Sequence, residues 1–333
     1  PPLVLLANAD GTFSAAKVDP KAARRHIRNG SIADFNNDGL LDFAGFTTGD
    51  PGKRWKAQGY STEGRHIPRG EADLLLINTG KGFVNHLIPE LRRNDWNHGG
   101  DVGDIDGDGL IDILPLSEGE KERTVPLRNI SGHEFVLGDS EYSSEVSYYL
   151  TPDLDVGDFN NDGQQDVIVA IEENSGTRLR MFLNTRIRDD ERQDDPDTPQ
   201  DESVYREFWQ EVYPFNNNNG EDFLQSVYNI KFAIKDLDND GLVEIITAGQ
   251  NSKLANEATT VMTMVSVEDV DDQPGVGFSD FKMSERRSVV DEGMLDNLSF
   301  ASYDFGDIDN DGDYDFLISG YSFDGYKTLL FEN

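Results

Sequence analysis

Acidic residues spaced two apart are the most chemically suggestive pattern in the chain. The phrase Asp34-Phe-Asn-Asn-Asp-Gly-Leu-Leu-Asp42 returns as Asp104-Ile-Asp-Gly-Asp-Gly-Leu-Ile-Asp112 and as Asp158-Phe-Asn-Asn-Asp-Gly-Gln-Gln-Asp166. Two further copies read Asp236-Leu-Asp-Asn-Asp-Gly-Leu-Val-Glu244 and Asp307-Ile-Asp-Asn-Asp-Gly-Asp-Tyr-Asp315, and successive copies start 70, 54, 78 and 71 residues apart. Side-chain oxygens at the first, third, fifth and ninth places, with a backbone carbonyl at the seventh, suit a hard divalent cation such as calcium. Glycine at the sixth place permits the sharp turn this requires.

The ligands expected on that pattern are Asp34, Asn36, Asp38, Leu40 and Asp42 in the first loop and Asp104, Asp106, Asp108, Leu110 and Asp112 in the second. The third loop offers Asp158, Asn160, Asp162, Gln164 and Asp166; the fourth, Asp236, Asp238, Asp240, Leu242 and Glu244; the fifth, Asp307, Asp309, Asp311, Asp313 and Asp315. Up to five Ca²⁺ are therefore expected. An EF-hand would need Glu at its twelfth place between two helices. Gly45, Pro115, Val169, Thr247 and Ile318 stand there, and short β-forming runs such as Val167-Ile168-Val169 follow each loop.

Those loops need elements to hold them. A second phrase trails each one: Leu74 to Asn78, Val125 to Asn129, Arg178 to Asn184, Thr259 to Met264 and Thr328 to Asn333. Each unit therefore reads strand A, cation loop, strand B, strand C, turn, strand D, and four antiparallel strands repeated in this way predict an all-β fold, a β-propeller. The single domain spans 1–333, with blades near 28–90, 98–140, 153–214, 228–285 and 300–333. Residues 1–19 read as a C–D strand pair without a loop before it. That pair either completes the last blade or belongs to a blade lacking its inner strands, so five to seven blades are open.

Composition narrows the function classes. The 333 residues include no Cys, 29 Lys+Arg and 64 Asp+Glu, for a net charge of −35. The lack of Cys excludes disulfide staples, thiolate zinc sites and a Cys nucleophile. The acidity argues against nucleic-acid binding, which needs a basic surface. No apolar run is long enough to span a bilayer, so membrane insertion is not expected, and the first residues do not form a signal peptide. The ligand positions account for 18 of the 64 acids, and five divalent ions would reduce −35 to −25.

The loops, followed by a short apolar strand and preceded by Val102-Gly-Asp, Val156-Gly-Asp or Phe305-Gly-Asp, resemble the FG-GAP/VCBS repeat family. That family includes the integrin α-subunit propeller and related fungal and bacterial lectins and polysaccharide lyases. The resemblance covers nearly the whole chain and implies a calcium-bearing propeller, while leaving the ligand open. Glu244 departs from the pattern at the ninth place, and Asn36 and Asn160 lower the charge at the third.

Strand alternation puts the A–B and C–D loops on one side of a propeller and the B–C and D–A loops on the other. Residues 1–93 hold 13 Lys+Arg against 10 Asp+Glu, and 94–333 hold 16 against 54. The basic residues gather on the side opposite the cation loops: Lys21, Arg24, Arg25, His26 and Arg28, then Lys53, Arg54, Trp55, Lys56, Arg65, His66 and Arg69, then Arg92, Arg93, Trp96 and His98. Arginine forks onto carboxylate or sulfate, and Trp packs on a sugar ring. Arg54, Trp55, Lys56, Arg65, Arg92, Arg93, Trp96 and His98 are the candidate ligand-binding set. The alternative is that these cations only offset the surrounding acids.

The chain thus reads as a secreted or cell-surface, calcium-stabilised recognition or adhesion module for an acidic carbohydrate or a protein partner. No Gly-x-Ser-x-Gly, phosphate loop, zinc His-Glu pattern or dinucleotide Gly cluster appears. The enzymatic alternative, by resemblance, is a calcium-dependent lyase on a uronic-acid polymer, with His98, His66 or Tyr60 as the candidate base. Asn129-Ile-Ser131 and Asn297-Leu-Ser299 match glycosylation sequons.

Overall fold

Short runs of Val, Ile, Leu and Phe bounded by Gly, Asn and Asp form antiparallel strands throughout the computed structural model of the chain. The structure describes residues 3–8, 12–22, 27–47, 73–88, 97–117, 126–138, 153–159, 163–173, 176–186, 207–212, 227–235, 237, 244–251, 260–269, 281–283, 287–288, 299–308, 311–322 and 325–331. One three-residue 3₁₀ turn, Pro20–Ala22, is the sole helical element among them. Among the described residues, no helix is long and apolar enough to cross a membrane.

At the N-terminus β1 (Leu5–Ala7) and β2 (Phe13–Ala15) form a two-stranded sheet. Next, β3 (Ile27–Ala33), β4 (Asp42–Thr47), β5 (Leu74–Asn78) and β6 (Phe83–His86) pair in sequence order. So do β7 (Asn97–Gly103), β8 (Asp112–Ser117), β9 (Leu127–Asn129) and β10 (Phe135–Leu137). A third such sheet comprises β11 (Asp153–Gly157), β12 (Asp166–Glu173), β13 (Gly176–Arg186) and β14 (Glu207–Val212). The fourth holds β15 (Val227–Lys235), β16 (Glu244–Asn251), β17 (Thr260–Asp269) and β18 (Phe281–Met283), with β19 (Arg287–Ser288) also paired to β17. The last is three-stranded: β20 (Ser299–Gly306), β21 (Asp315–Ser322) and β22 (Gly325–Phe331). The fold is all-β, built of antiparallel sheets of which three are four-stranded with their strands in sequence order. The N-terminal pair makes a sheet of its own.

Register repeats as faithfully as order. The ladders begin with Ala33 opposite Asp42, Gly103 opposite Asp112, Gly157 opposite Asp166, Lys235 opposite Glu244 and Gly306 opposite Asp315. Each acidic loop is therefore flanked by the same two strand positions.

Packing divides the chain into two units, Pro1–Thr151 with Arg186–Phe208, and Pro152–Thr185 with Trp209–Asn333. In the first, β5 shows why its run is continuously apolar: strand alternation sends Leu75 and Ile77 to one face and Leu74 and Leu76 to the other. Leu75 and Ile77 join Phe35, Phe46, Ile113, Leu127 and Phe135; Leu74 and Leu76 join Ala22 and Phe83, with Val4, Ala16 and Val18 against them. Both faces of this sheet are covered, and each fully buried Leu contributes about 1.5–3 kcal/mol. In the second unit Ile246 packs with Phe316 and Ile318, beside Tyr303, Phe305 and Phe331. The Tyr303 hydroxyl donates to the Ile246 carbonyl at 2.9 Å, which ties β20 to β16.

Candidate metal centre

The second loop gathers three carboxylates tightly. Asp104, Asp106 and Asp108 each offer one oxygen to a group whose members lie within 4.8 Å of one another. Backbone amides hold each side chain in place: Gly109 N–H donates to Asp104 Oδ2 at 2.9 Å, Asp108 N–H to Asp106 Oδ1 at 3.2 Å, and Leu110 N–H to Asp108 Oδ1 at 2.8 Å. The other oxygen of Asp104 is buried and accepts no hydrogen bond. A buried, unpartnered carboxylate oxygen beside two more carboxylates is costly without a cation. Burial, then the charges of Asp106 and Asp104, push the Asp108 carboxyl above its ordinary range.

The same wiring recurs wherever the loops are described. Gly39 N–H donates to Asp34 Oδ2 at 2.7 Å, Gly163 N–H to Asp158 Oδ2 at 2.8 Å, and Gly312 N–H to Asp307 Oδ2 at 3.2 Å. Leu40 N–H reaches Asp38 Oδ1 at 2.9 Å, and Asp313 N–H reaches Asp311 Oδ1 at 3.2 Å. The sixth-place glycines take φ of 83° (Gly39), 87° (Gly109), 84° (Gly163) and 102° (Gly312), a left-handed turn that other L-residues pay to adopt.

The ninth-place acid has a role that spacing did not reveal. Asp42, Asp112, Asp166, Glu244 and Asp315 are each 2% exposed or less. Their second carboxylate oxygens accept the amides of Phe35, Ile105, Phe159, Leu237 and Ile308, the second residue of each loop, at 2.7–3.1 Å. In the first three sheets the remaining oxygen accepts the amide of Asn78, Asn129 or Asn184 at 2.7, 2.7 and 2.8 Å. The acid thus pins the loop's start to the end of strand C. Burial, opposed by the Asn129 amide and reinforced by Asp106, pushes the Asp112 carboxyl up to about 7. Burial likewise raises Asp42.

Those asparagines were visible as the recurrent last residue of the strand-C phrase, but their job was not. Asn129 is fully buried and donates to the carbonyls of Phe35 at 2.8 Å and Ile111 at 3.1 Å. Its sequon match is therefore incompatible with a glycan in the folded chain. Asn37, the one non-glycine residue with positive φ (55°) among the described residues, donates to the Gly109 carbonyl at 3.1 Å, joining the first loop to the second. Cβ placement at Gly80 would bring it 3.6 Å from Leu40, and at Gly132 3.0 Å from Asn36. C–D turns thus lie on the side of the A–B loops, as strand alternation requires.

A donor set made only of oxygen, an orphaned buried oxygen and a repeated glycine turn fit a hard cation. Asp104, Asp106 and Asp108 could hold one in the second sheet, and Asp34, Asn36, Asp38 and Leu40 occupy the matching loop positions in the first. Asp158, Gln164, Asp307, Asp311 and Asp313 are described in the third and fifth loops, whereas Asn160, Asp162, Asp236, Asp238, Asp240, Leu242 and Asp309 lie outside the described residues.

Arg54, Trp55, Lys56, Tyr60, Arg65, His66, Arg92, Arg93 and Trp96 also lie outside the described residues, and His98 falls within β7. Of the five histidines, His86 and His133 form a local pair, with His86 Nε2 donating to the His133 carbonyl at 2.8 Å.

No family model and no curated protein matches the chain. Among solved structures, the pore form of the Photorhabdus luminescens Tc holotoxin is similar at 13% identity and a TM-score of 0.35, over 78% of this chain and 11% of that one. The chain thus spans about a tenth of that toxin chain's length. At that TM-score the likeness carries no functional weight.

Proposed function

We propose that the chain is a calcium-stabilised β-propeller of the FG-GAP/VCBS kind, acting outside the cell as a recognition module. The observation that carries this reading is the fivefold repeat of one oxygen-only loop in one strand register. Bound calcium would supply positive charge to the clustered carboxylates, of which Asp106 is already paired with Arg128. The chain's own amides and ninth-place acids already orient those carboxylates. Weak extracellular-type sites, about 10⁻⁴–10⁻³ M, fill outside a cell and not in cytosol, which supports a secreted or surface location.

The basic, Trp-bearing segments, which strand alternation in a propeller would put on the side opposite the loops, would contact the ligand, an acidic carbohydrate or a protein. Their chemistry supports this: guanidinium groups pair with carboxylate or sulfate while indole covers a sugar face. Calcium-dependent binding on an array of acidic glycans is the expected result, lost when Arg54, Trp55 and Trp96 are changed together. Binding that survives that triple change refutes the site. Unsaturated products from a uronic-acid polymer would replace the binding reading with a lyase.

A further inference from the structure

One residue sets the second loop apart. In the first and third sheets the residue before the strand-C asparagine is Ile77 or Leu183; in the second it is Arg128. Strand alternation buries Leu127 and Asn129 on one face of β9 and leaves Arg128 on the other. There its guanidinium reaches the acidic loop, with Nε donating to Asp106 Oδ2 at 2.6 Å and Nη2 donating to the same oxygen. The Asp106 side chain is 4% exposed, so this pair is largely shielded from water on one side. Room for the stem comes from Gly138, where a Cβ would meet Arg128 Cγ and Cδ at 3.0 and 3.1 Å.

Charge explains the arrangement. The first and third loops place Asn36 and Asn160 at the third position, so their ligand side chains carry three negative charges each. The second loop has Asp106 there and carries four, as the fourth and fifth do with Asp238 and Asp309. Asn36 solves locally what Arg128 solves from the neighbouring strand: its amide donates to Asp38 Oδ2 at 3.1 Å. With Arg128 included, the second loop also stands at three.

Resting on the calcium reading above, we propose that Arg128 is the resident counter-cation of the second loop. It steadies Asp106 when no metal is present and sets the site's affinity for a divalent ion to that of a loop with Asn at the third place. Ligand charge count tunes calcium loops over decades of affinity. Removing the guanidinium should therefore tighten calcium binding at this loop while loosening the metal-free fold.

The Gly109 amide, bonded to Asp104, reports the second loop in an amide NMR spectrum, and the Gly39 amide reports the first. Calcium alone is titrated into the wild-type chain, R128Q, R128K and D106N/R128Q, and each is melted in excess chelator. The proposal expects R128Q to lower the half-saturating calcium at Gly109 by about tenfold, leave Gly39 unmoved, and reduce the chelated melting temperature. R128K, which keeps the charge, and D106N/R128Q, which recreates the Asn solution, should both stay near wild type. If R128Q folds only with calcium, that supports the proposal, and the double variant supplies the titration. An unmoved Gly109 midpoint in R128Q, with Gly39 still titrating, overturns the role of Arg128 and leaves the calcium reading intact. Amides that ignore calcium in every variant overturn both.

Discussion

Asn129 donates its side-chain amide to the backbone carbonyl of Phe35 at 2.8 Å, across 94 residues of chain. The bond joins the end of the third strand of the second sheet to the acidic loop of the first. Asn129 also donates to Ile111, accepts from Gly132 at 2.7 Å, and gives its own amide to Asp112. Replacing Asn129 with Ala strands the Phe35 carbonyl and the Gly132 amide in the interior. We expect a loss of about 2–4 kcal/mol in urea unfolding. A change under about 0.5 kcal/mol would show that the bond carries little of the junction.

Asp112 and Asp108 belong to one phrase but should respond differently to amidation. Asp112 accepts from Asn129 at 2.7 Å and Ile105 at 3.1 Å, so Asp112→Asn must face one backbone donor with another. Without calcium, D112N should lose about 2–4 kcal/mol. D108N should be neutral or slightly stabilising, because it relieves repulsion from Asp106 and Asp104. With calcium the order narrows, since D108N now removes a ligand. Chemical denaturation of both variants, with and without chelator, distinguishes these outcomes.

A native carboxyl raised to about 7 has a definite sign in pH dependence. The folded chain holds the Asp112 proton more tightly than the unfolded chain does. Its contribution is fully present below the unfolded pKa of 3.8 and is lost as pH rises through about 7. Metal-free protein should therefore lose stability between about pH 4 and 7, by up to about 1.4 kcal/mol per pH unit for this group. Asp42 and Asp108 are displaced in the same direction. Saturating calcium should flatten the profile, as it competes with those protons. Equal profiles with and without calcium would contradict the coupling.

At Gly109 an added Cβ meets open space, so the φ of 87° is the whole constraint. Gly109→Ala should cost about 1–2 kcal/mol of loop stability and weaken calcium binding. Gly109→Asn, which tolerates the left-handed region, should cost less. Equal losses from Ala and Asn would point to some cause other than backbone strain.

Much of the fold was legible because strand and loop alternate in one repeated phrase. Acids, glycine and a following apolar run marked the strand–loop–strand units, and the chain is all-β with antiparallel sheets among the described residues. What the sequence left hidden was partnership across long separations. Nothing local marks Asn129 as the clasp on Phe35, because its partner lies 94 residues away. Arg128 was hidden for the same reason: its chemistry depends on β9 lying beside the second loop. Spacing marks the ninth-place acids only as ligands, since it cannot show that backbone amides already occupy both oxygens of Asp42, Asp112 and Asp166.

Thermal unfolding of the full chain in millimolar calcium and in excess chelator tests the central claim most directly. Each site at tenfold excess over its dissociation constant adds about 1.4 kcal/mol, and several sites act together. The account predicts a markedly higher melting temperature with calcium, and a smaller rise in a variant carrying D104N and D108N. An identical melting temperature in calcium and in chelator would contradict it.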